Sequence, residues 1–283
     1  MMKKAIQIPY NDLFEKKCKY AKEAGFNSIS VNFYEMLGKT ELDWKKALEH
    51  IQSILSKFNI ECVQTHPYYY DLTISSEIIE EECEYAIEQA VIASGKLGAK
   101  WCALHPRSSI TSGFSVKKSF EDNKRDFSHY LELAKKHNTG LAAENLPIFP
   151  DLSPSMPFYS SDYYDLCELV DSFNDSSMAI CWDTGHAHLM HFDQPEAIRF
   201  LGKRIKCTHI HNNYRSKDDH FPPDNGNIEW DKVMAAFASV GYDGPLTLET
   251  HCLYPSDDLL KNFARHNYGC LEYLEKLAGE ANK

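Results

Sequence analysis

No segment of this 283-residue chain approaches the ~20 consecutive apolar residues of a membrane-spanning helix. The first residues, MMKKAIQIPYNDLFEKK, lack an apolar run long enough for a secretory signal. The nine cysteines include no C-x-x-C pair, and Cys102, Cys181 and Cys207 lie within apolar runs, the pattern of small core residues rather than of disulfide partners or ligands. These absences lead us to expect a cytoplasmic protein without membrane association. Basic residues are also scarce: 30 Lys and Arg against 41 Asp and Glu leave a net charge of −11. That balance argues against a broad phosphate-binding face and hence against a nucleic-acid partner. The densest basic run, Lys16, Lys17, Lys19 and Lys22, alternates with Glu15 and Glu23 and reads as a solvated helix face. Neither G-x-G-x-x-G nor G-x-x-x-x-G-K-[ST] occurs, so the Gly-rich turn of an open doubly wound nucleotide-binding sheet is missing.

What the chain does contain is an alternation of short β-rich runs with longer amphipathic segments. Strands are expected at Lys4 to Ile8, Ser28 to Phe33, Glu61 to Thr65, Trp101 to Leu104, Leu141 to Ala143, Met178 to Trp182, Ile205 to Thr208 and Pro245 to Leu248. Helices are expected at Asn11 to Ala24, Asp43 to Phe58, about Ser76 to Leu97, Lys117 to His137, Ser161 to Phe173, about Pro195 to Leu201, Trp230 to Val240 and Asp257 to Leu277. Eight strand–helix units with no break in composition indicate a single (β/α)8 barrel domain over residues 1–283, α/β in class. The Pro- and Ser-rich stretch Leu146 to Tyr159 reads as a rim loop or lid, and Asn212 to Asn227 as a second long polar loop.

Chemistry gathers where the strands stop. In such a barrel functional side chains sit at the C-terminal strand ends. Here those positions hold His66, His105, Glu144, Asp183, His209 and Glu249, with His186 in the turn after strand six and Asp218 and His220 in the loop after strand seven. His50, His129, His137 and His266 fall on helices and read as surface residues. Six consecutive strands each ending in a potential ligand point to a shared divalent cation, since clustered carboxylates need positive charge. Carboxylates alone would favour Mg²⁺ or Ca²⁺; added imidazoles favour Zn²⁺, Mn²⁺, Co²⁺ or Fe²⁺. Tyr68, Tyr69 and Tyr70 after His66, with Phe149, Phe158 and Trp182, offer aromatic walls for a small polar ligand, or core packing.

The segments ENLP at Glu144, CWDTGHAHL around Asp183 and His186, THIHNN around His209, LTLET ending in Glu249 and DDHFPPDNGNIEW from 218 to 230 resemble the xylose-isomerase-like, AP-endonuclease-family-2 barrel superfamily. The resemblance covers nearly the whole chain in order. It implies a metal held by Glu144, Asp183, His209 and Glu249, with His211 the rival to His209. In sugar isomerases and epimerases of this kind the two glutamates flank the substrate carbon, so Glu144 and Glu249 become the catalytic pair in a proton abstraction through an enediolate. The implied substrate is a small sugar, polyol or sugar phosphate, and the implied cofactor a divalent ion: Zn²⁺ or Mn²⁺ favoured, Mg²⁺, Co²⁺ or Fe²⁺ open. The branch resembling endonuclease IV binds three zinc ions, and its further ligands match His66, His105, His186, Asp218 and His220. One ion is favoured, up to three are allowed, and a multinuclear-zinc phosphoesterase or abasic-site nuclease is the alternative; a purely structural metal is a third reading. His186 and His211 are candidates for substrate hydroxyls, and Arg107, Arg215 and Lys217 for a phosphate or merely solvated rim charges. Homo-oligomerisation is left open. Two departures stand out: Asp224-Asn225-Gly226 replaces the family's GEG turn, and Pro150 occupies the position where keto-sugar 3-epimerases carry a second Glu.

Overall fold

Eight short β runs form a continuous parallel sheet: β1 (Lys4–Pro9), β2 (Ser28–Asn32), β3 (Glu61–His66), β4 (Trp101–Leu104), β5 (Gly140–Glu144), β6 (Met178–Asp183), β7 (Ile205–His209) and β8 (Leu246–Leu248). Each strand from β1 to β6 pairs with the next in sequence, and β8 returns to β1. The remaining seam closes where Ile210 N–H donates to Thr247 O at 2.8 Å and Glu249 N–H to Ile210 O at 3.1 Å. The closed sheet leaves no edge strand, and the fold is a single α/β barrel of eight parallel strands. The computed structural model describes residues 2–69, 77–109, 114–148 and 159–281. Most of the expected rim loop, with Phe149, Pro150 and Phe158, lies outside them, as does Tyr70.

Helices α1 (Phe14–Ala24), α2 (Glu41–Phe58), α3 (Glu77–Lys96), α4 (Val116–Lys136), α5 (Tyr163–Asp171), α6 (Thr184–Leu189), α7 (Gln194–Leu201), α8 (Trp230–Ser239) and α9 (Asp257–Ala281) cover the sheet. Apolar side chains of the sheet and the inner helix faces form one large buried cluster. Inside the barrel, Trp101, Ala103, Ala142, Ala179, Cys181 and Cys207 pack as a separate plug below the rim. Two of the cysteines expected as small core residues belong to it.

One element is unexpected. Where the sequence indicated only a turn after strand six, α6 starts at once, because the Asp183 carboxylate caps it by accepting from His186 N–H at 2.6 Å. Six residues with a Gly at the second position fall below the length at which helical periodicity can be read.

Polar residues on the inner face of α4 fix the loop after β4. The Asn123 amide accepts from Arg107 N–H at 2.8 Å and donates to Arg107 O at 2.7 Å, and Ser119 Oγ accepts from Ser109 N–H at 2.9 Å. That loop begins with His105. Asn123→Ala removes both hydrogen bonds to the Arg107 backbone in a part-buried place, and we expect it to cost roughly 1–3 kcal/mol in urea unfolding, with m unchanged. A loss within about 0.5 kcal/mol would show that the loop holds its course without Asn123.

Candidate metal centre

Register brings the strand ends to one mouth. Glu144, Asp183 and His209 are the last residues of β5, β6 and β7, and Glu249 follows β8 directly. His209 Nδ1 lies 3.0 Å from Glu144 Oε1, 3.0 Å from Glu249 Oε2 and 3.9 Å from Asp183 Oδ2. The four residues offer one donor atom each within 4.8 Å of one another. His66 and His105, from β3 and just after β4, each bring Nε2 to 3.4 Å from Glu144 Oε2. His186 Nε2 stands 3.3 Å from Asp218 Oδ2 and His220 Nε2 3.1 Å from it, while His211 Nε2 is 3.0 Å from Asp183. All ten His, Asp and Glu candidates from the sequence thus converge. The two His of the H-I-H segment divide: His209 joins the Glu144–Asp183–Glu249 group and His211 the His186–Asp218–His220 group.

The chemistry of the donor set can be tested against a cation. His66 Nδ1, His186 Nδ1 and His220 Nδ1 face the carbonyl oxygens of Pro67, Asn145 and Glu249 at 2.7, 2.9 and 2.9 Å. A carbonyl only accepts, so each Nδ1 carries the proton, and in the neutral ring Nε2 presents a lone pair to the centre. That is the arrangement of metal-ligating histidines. His66 Nε2 and His105 Nε2 stand 3.2 Å apart, two acceptors face to face unless a proton or a cation intervenes. Glu144 Oε1 and Oε2, His209 Nδ1, His211 Nδ1 and Asp218 Oδ1 are buried and, for all their close charged neighbours, make no properly directed hydrogen bond among the described residues. The residues therefore fit a divalent ion at Glu144, Asp183, His209 and Glu249, and have donors to spare for further ions.

Electrostatics agree. Burial alone would raise Glu144 and Glu249, yet His209 and its neighbours, His105 on Glu144 and His220 on Glu249, hold both carboxyls far below the usual range. Burial opposes the charged form of His209 and His186, but Glu144 and Glu249 around the first and Asp183 and Asp218 around the second raise both well above an ordinary imidazole. His251, stacked on His220 with centroids 4.5 Å apart, is pushed down to about 4 by burial and then by His220. The carboxylates stay ionised and recruit positive charge, whether protons on imidazole or a metal.

Buttressing residues escaped the sequence reading. The Asn145 amide clamps β5 to β6, accepting from Asp183 N–H at 2.7 Å and donating to Asp183 O at 2.9 Å. The Gln64 amide sits 2.8 Å from His209 Nε2, and its other end takes the Thr247 hydroxyl at 3.0 Å. Gly185 is obligatory for space, since a Cβ there would lie 1.9 Å from the His211 ring. Gly226, at φ +154, leaves room for the Asn212 amide, which accepts from Asn213 and Ile228 N–H and folds the β7–α8 loop onto itself.

A cavity of about 870 Å³ opens above the centre. Its floor shows His66, His105, Glu144, His186, Asp218, His220 and Glu249, whereas Asp183, His209 and His211 lie buried beneath. Tyr34 and Tyr69 line it, with Tyr69 stacked on His105 at 5.0 Å. Trp182 does not: it is fully buried core, its Nε1 turned to Gln194. Of the three cations proposed for a phosphate, Arg107 lines the cavity and pairs with Asp126 at 2.8 Å; Arg215 and Lys217 are exposed and are not brought to it. Lys17, expected on a solvated face, instead turns half-buried into the cavity wall. Which face of α1 looks inward is set by its packing against α9, and helical spacing alone did not reveal it.

Residues 18–266 match the model of the xylose isomerase-like TIM barrel family. An uncharacterised protein of Methanocaldococcus jannaschii is 23% identical over 227 residues, covering 77% of this chain and 75% of that one. An uncharacterised protein of Sinorhizobium fredii is 34% identical over 82 residues, 29% of this chain; the match spans 26% of that relative's length. Among solved structures, a D-tagatose 3-epimerase-like protein superposes with a TM-score of 0.78 at 18% identity, covering 100% of both chains. D-psicose 3-epimerase of Clostridium cellulolyticum, solved with D-tagatose, gives 0.75 at 14% identity over 98% of this chain and 99% of that one. At such identities the structural likeness speaks for the fold.

Gln64→Leu removes the hydrogen bond behind His209 while leaving every donor in place. We expect the affinity for Zn²⁺ or Mn²⁺, read by chelator competition, to fall by about 10–100-fold. Unaltered affinity would mean that His209 needs no support from β3.

Proposed function

The chain belongs to the xylose isomerase-like TIM barrel family, and from that premise we propose that it is a divalent-metal-dependent isomerase or epimerase of a small sugar, polyol or sugar phosphate. One observation carries the reading. Glu144, at the end of β5, and Glu249, just after β8, both reach the cavity floor and flank the same nitrogen, His209 Nδ1, at 3.0 Å each. Two ionised carboxylates on either side of one point suit removal of a proton from a carbon and its return from the other face.

Glu144, Asp183, His209 and Glu249 would hold the ion. When bound, it would draw electron density from neighbouring substrate oxygens and acidify the C–H between them. The chain's own residues do the rest. A carboxylate oxygen of Glu249, at the more open side of the floor, takes the proton; a Glu144 oxygen, bracketed by His66, His105 and His209, stands ready to return one. In this one-ion reading His186 and His220, whose Nδ1 protons are committed to backbone carbonyls, donate from Nε2 to the Asp218 carboxylate at 3.3 and 3.1 Å and hold it at the cavity floor as an acceptor for a substrate hydroxyl. Tyr34 and Tyr69 supply ring surface against which the carbon skeleton can rest.

A second reading has its own support. The His66–His105–Glu144 and His186–His211–Asp218–His220 groups offer donors for two more ions, as a multinuclear phosphoesterase would require. Metal content separates the two readings, together with two assays: solvent-deuterium incorporation into a panel of ketoses and ketose phosphates, and cleavage of an abasic-site duplex. We expect deuterium exchange with at least one sugar, and a loss of about 10²–10⁴-fold in that exchange for Glu249→Gln. Three zinc ions held by the barrel-mouth residues with duplex cleavage, and no exchange with any sugar, would replace the isomerase reading by the hydrolytic one.

A further inference from the structure

A second group of donors lies outside the cavity. α9 carries His266 and Cys270 four residues apart, hence on one face, and the β7–α8 loop brings Asp224 against them. Asp224 Oδ1 is 2.9 Å from His266 Nε2 and 3.5 Å from Cys270 Sγ, and Cys270 Sγ is 3.8 Å from His266 Nε2. Zinc bonds of about 2.0–2.3 Å in a tetrahedron set donor–donor edges of about 3.3–3.6 Å. All three separations lie within about half an ångström of such edges. Thiolate, imidazole and carboxylate together form a borderline-soft set that favours Zn²⁺ over Mg²⁺ or Ca²⁺.

Burial is graded in the sense a three-ligand site needs. Cys270 is buried, while the His266 and Asp224 side chains are 51% and 57% exposed, leaving the fourth corner to water. An ordinary surface ion pair between Asp224 and His266 would be worth little and would not require a thiol beside it. None of the three residues belongs to the barrel-mouth cluster, so the site stands independently of the isomerase reading.

We propose that Asp224, His266 and Cys270 bind a Zn²⁺ ion of their own, clamping the β7–α8 loop to α9. The loop is the one that carries Asp218 and His220, and the clamp limits how far they can stray from the cavity floor. The full-length protein titrated with Co²⁺ as a spectroscopic stand-in should develop a thiolate-to-cobalt charge-transfer band. That band should vanish in Cys270→Ser and weaken strongly in Asp224→Asn and His266→Gln, with far-ultraviolet circular dichroism confirming that each variant is folded. Cys181, whose sulfur lies near Glu144 and His209, is the other possible source of such a band, so Cys181→Ser serves as the control and should retain it. Zinc content should drop by one ion per chain in Cys270→Ser, and hydrogen exchange across residues 212–227 should quicken. Absence of the band in the wild type at saturating cobalt, its survival in Cys270→Ser, its loss in Cys181→Ser, or equal zinc content in wild type and Cys270→Ser would each overturn the proposal.

Discussion

The centre depends on a tautomer lock. Three imidazoles, His66, His186 and His220, give their Nδ1 proton to a backbone carbonyl and so can offer only a lone pair inward while neutral. They converge on four carboxylates, Glu144, Asp183, Asp218 and Glu249, that the fold withdraws from bulk water. Acceptors meeting acceptors in a dry cavity are destabilising until positive charge arrives. The barrel tolerates this tension because its large apolar shell and its closed ring of strands determine where each strand ends.

The lock is woven from the ligands' own neighbours. The carbonyl that holds His66 belongs to the next residue, Pro67; the one that holds His186 belongs to Asn145, adjacent to Glu144; and His220 leans on the carbonyl of Glu249 itself. Asn145 then spans from β5 to both backbone groups of Asp183, whose carboxylate caps α6 and so aims His186. A shift at any one strand end therefore displaces a donor on another. Such cross-bracing is preorganisation in a concrete sense: the donors are aimed before any ligand enters.

Strand ends were legible because β-rich runs are short and six of them, the third to the eighth, stop at a polar residue that cannot continue the core; the order of eight such runs then implied the barrel. What stayed hidden depends on facing rather than on type. Gln64 lies inside a strand, two residues before His66, and only closure of the barrel places its amide behind His209, 145 residues away. His266 looked like any helix-borne histidine until the loop, 42 residues earlier, delivered Asp224 to it. In the sequence Arg215 and Lys217 were equally candidates for a phosphate and for solvated rim charges. Yet Arg215 adopts a left-handed φ of 63°, and the folded loop turns both cations to solvent.

Charge balance links the number of ions to the class of substrate. Four ionised carboxylates with a single divalent cation leave the mouth two charges negative, and among the described residues Lys17 and Arg107 are the Lys and Arg side chains lining the cavity, the latter already paired with Asp126. Such a mouth repels a phosphate dianion and admits a neutral polyol, unless imidazolium protons make up the difference. Three divalent cations would reverse the sign to two charges positive and convert the same residues into an anion trap, the condition phosphoester cleavage requires. Lys17, whose own charge is disfavoured by burial, cannot settle the matter alone. The same ten side chains thus suit either of the proposed chemistries, and the occupancy of the His66–His105 and His186–His220 positions, rather than the identity of any residue, would decide between them.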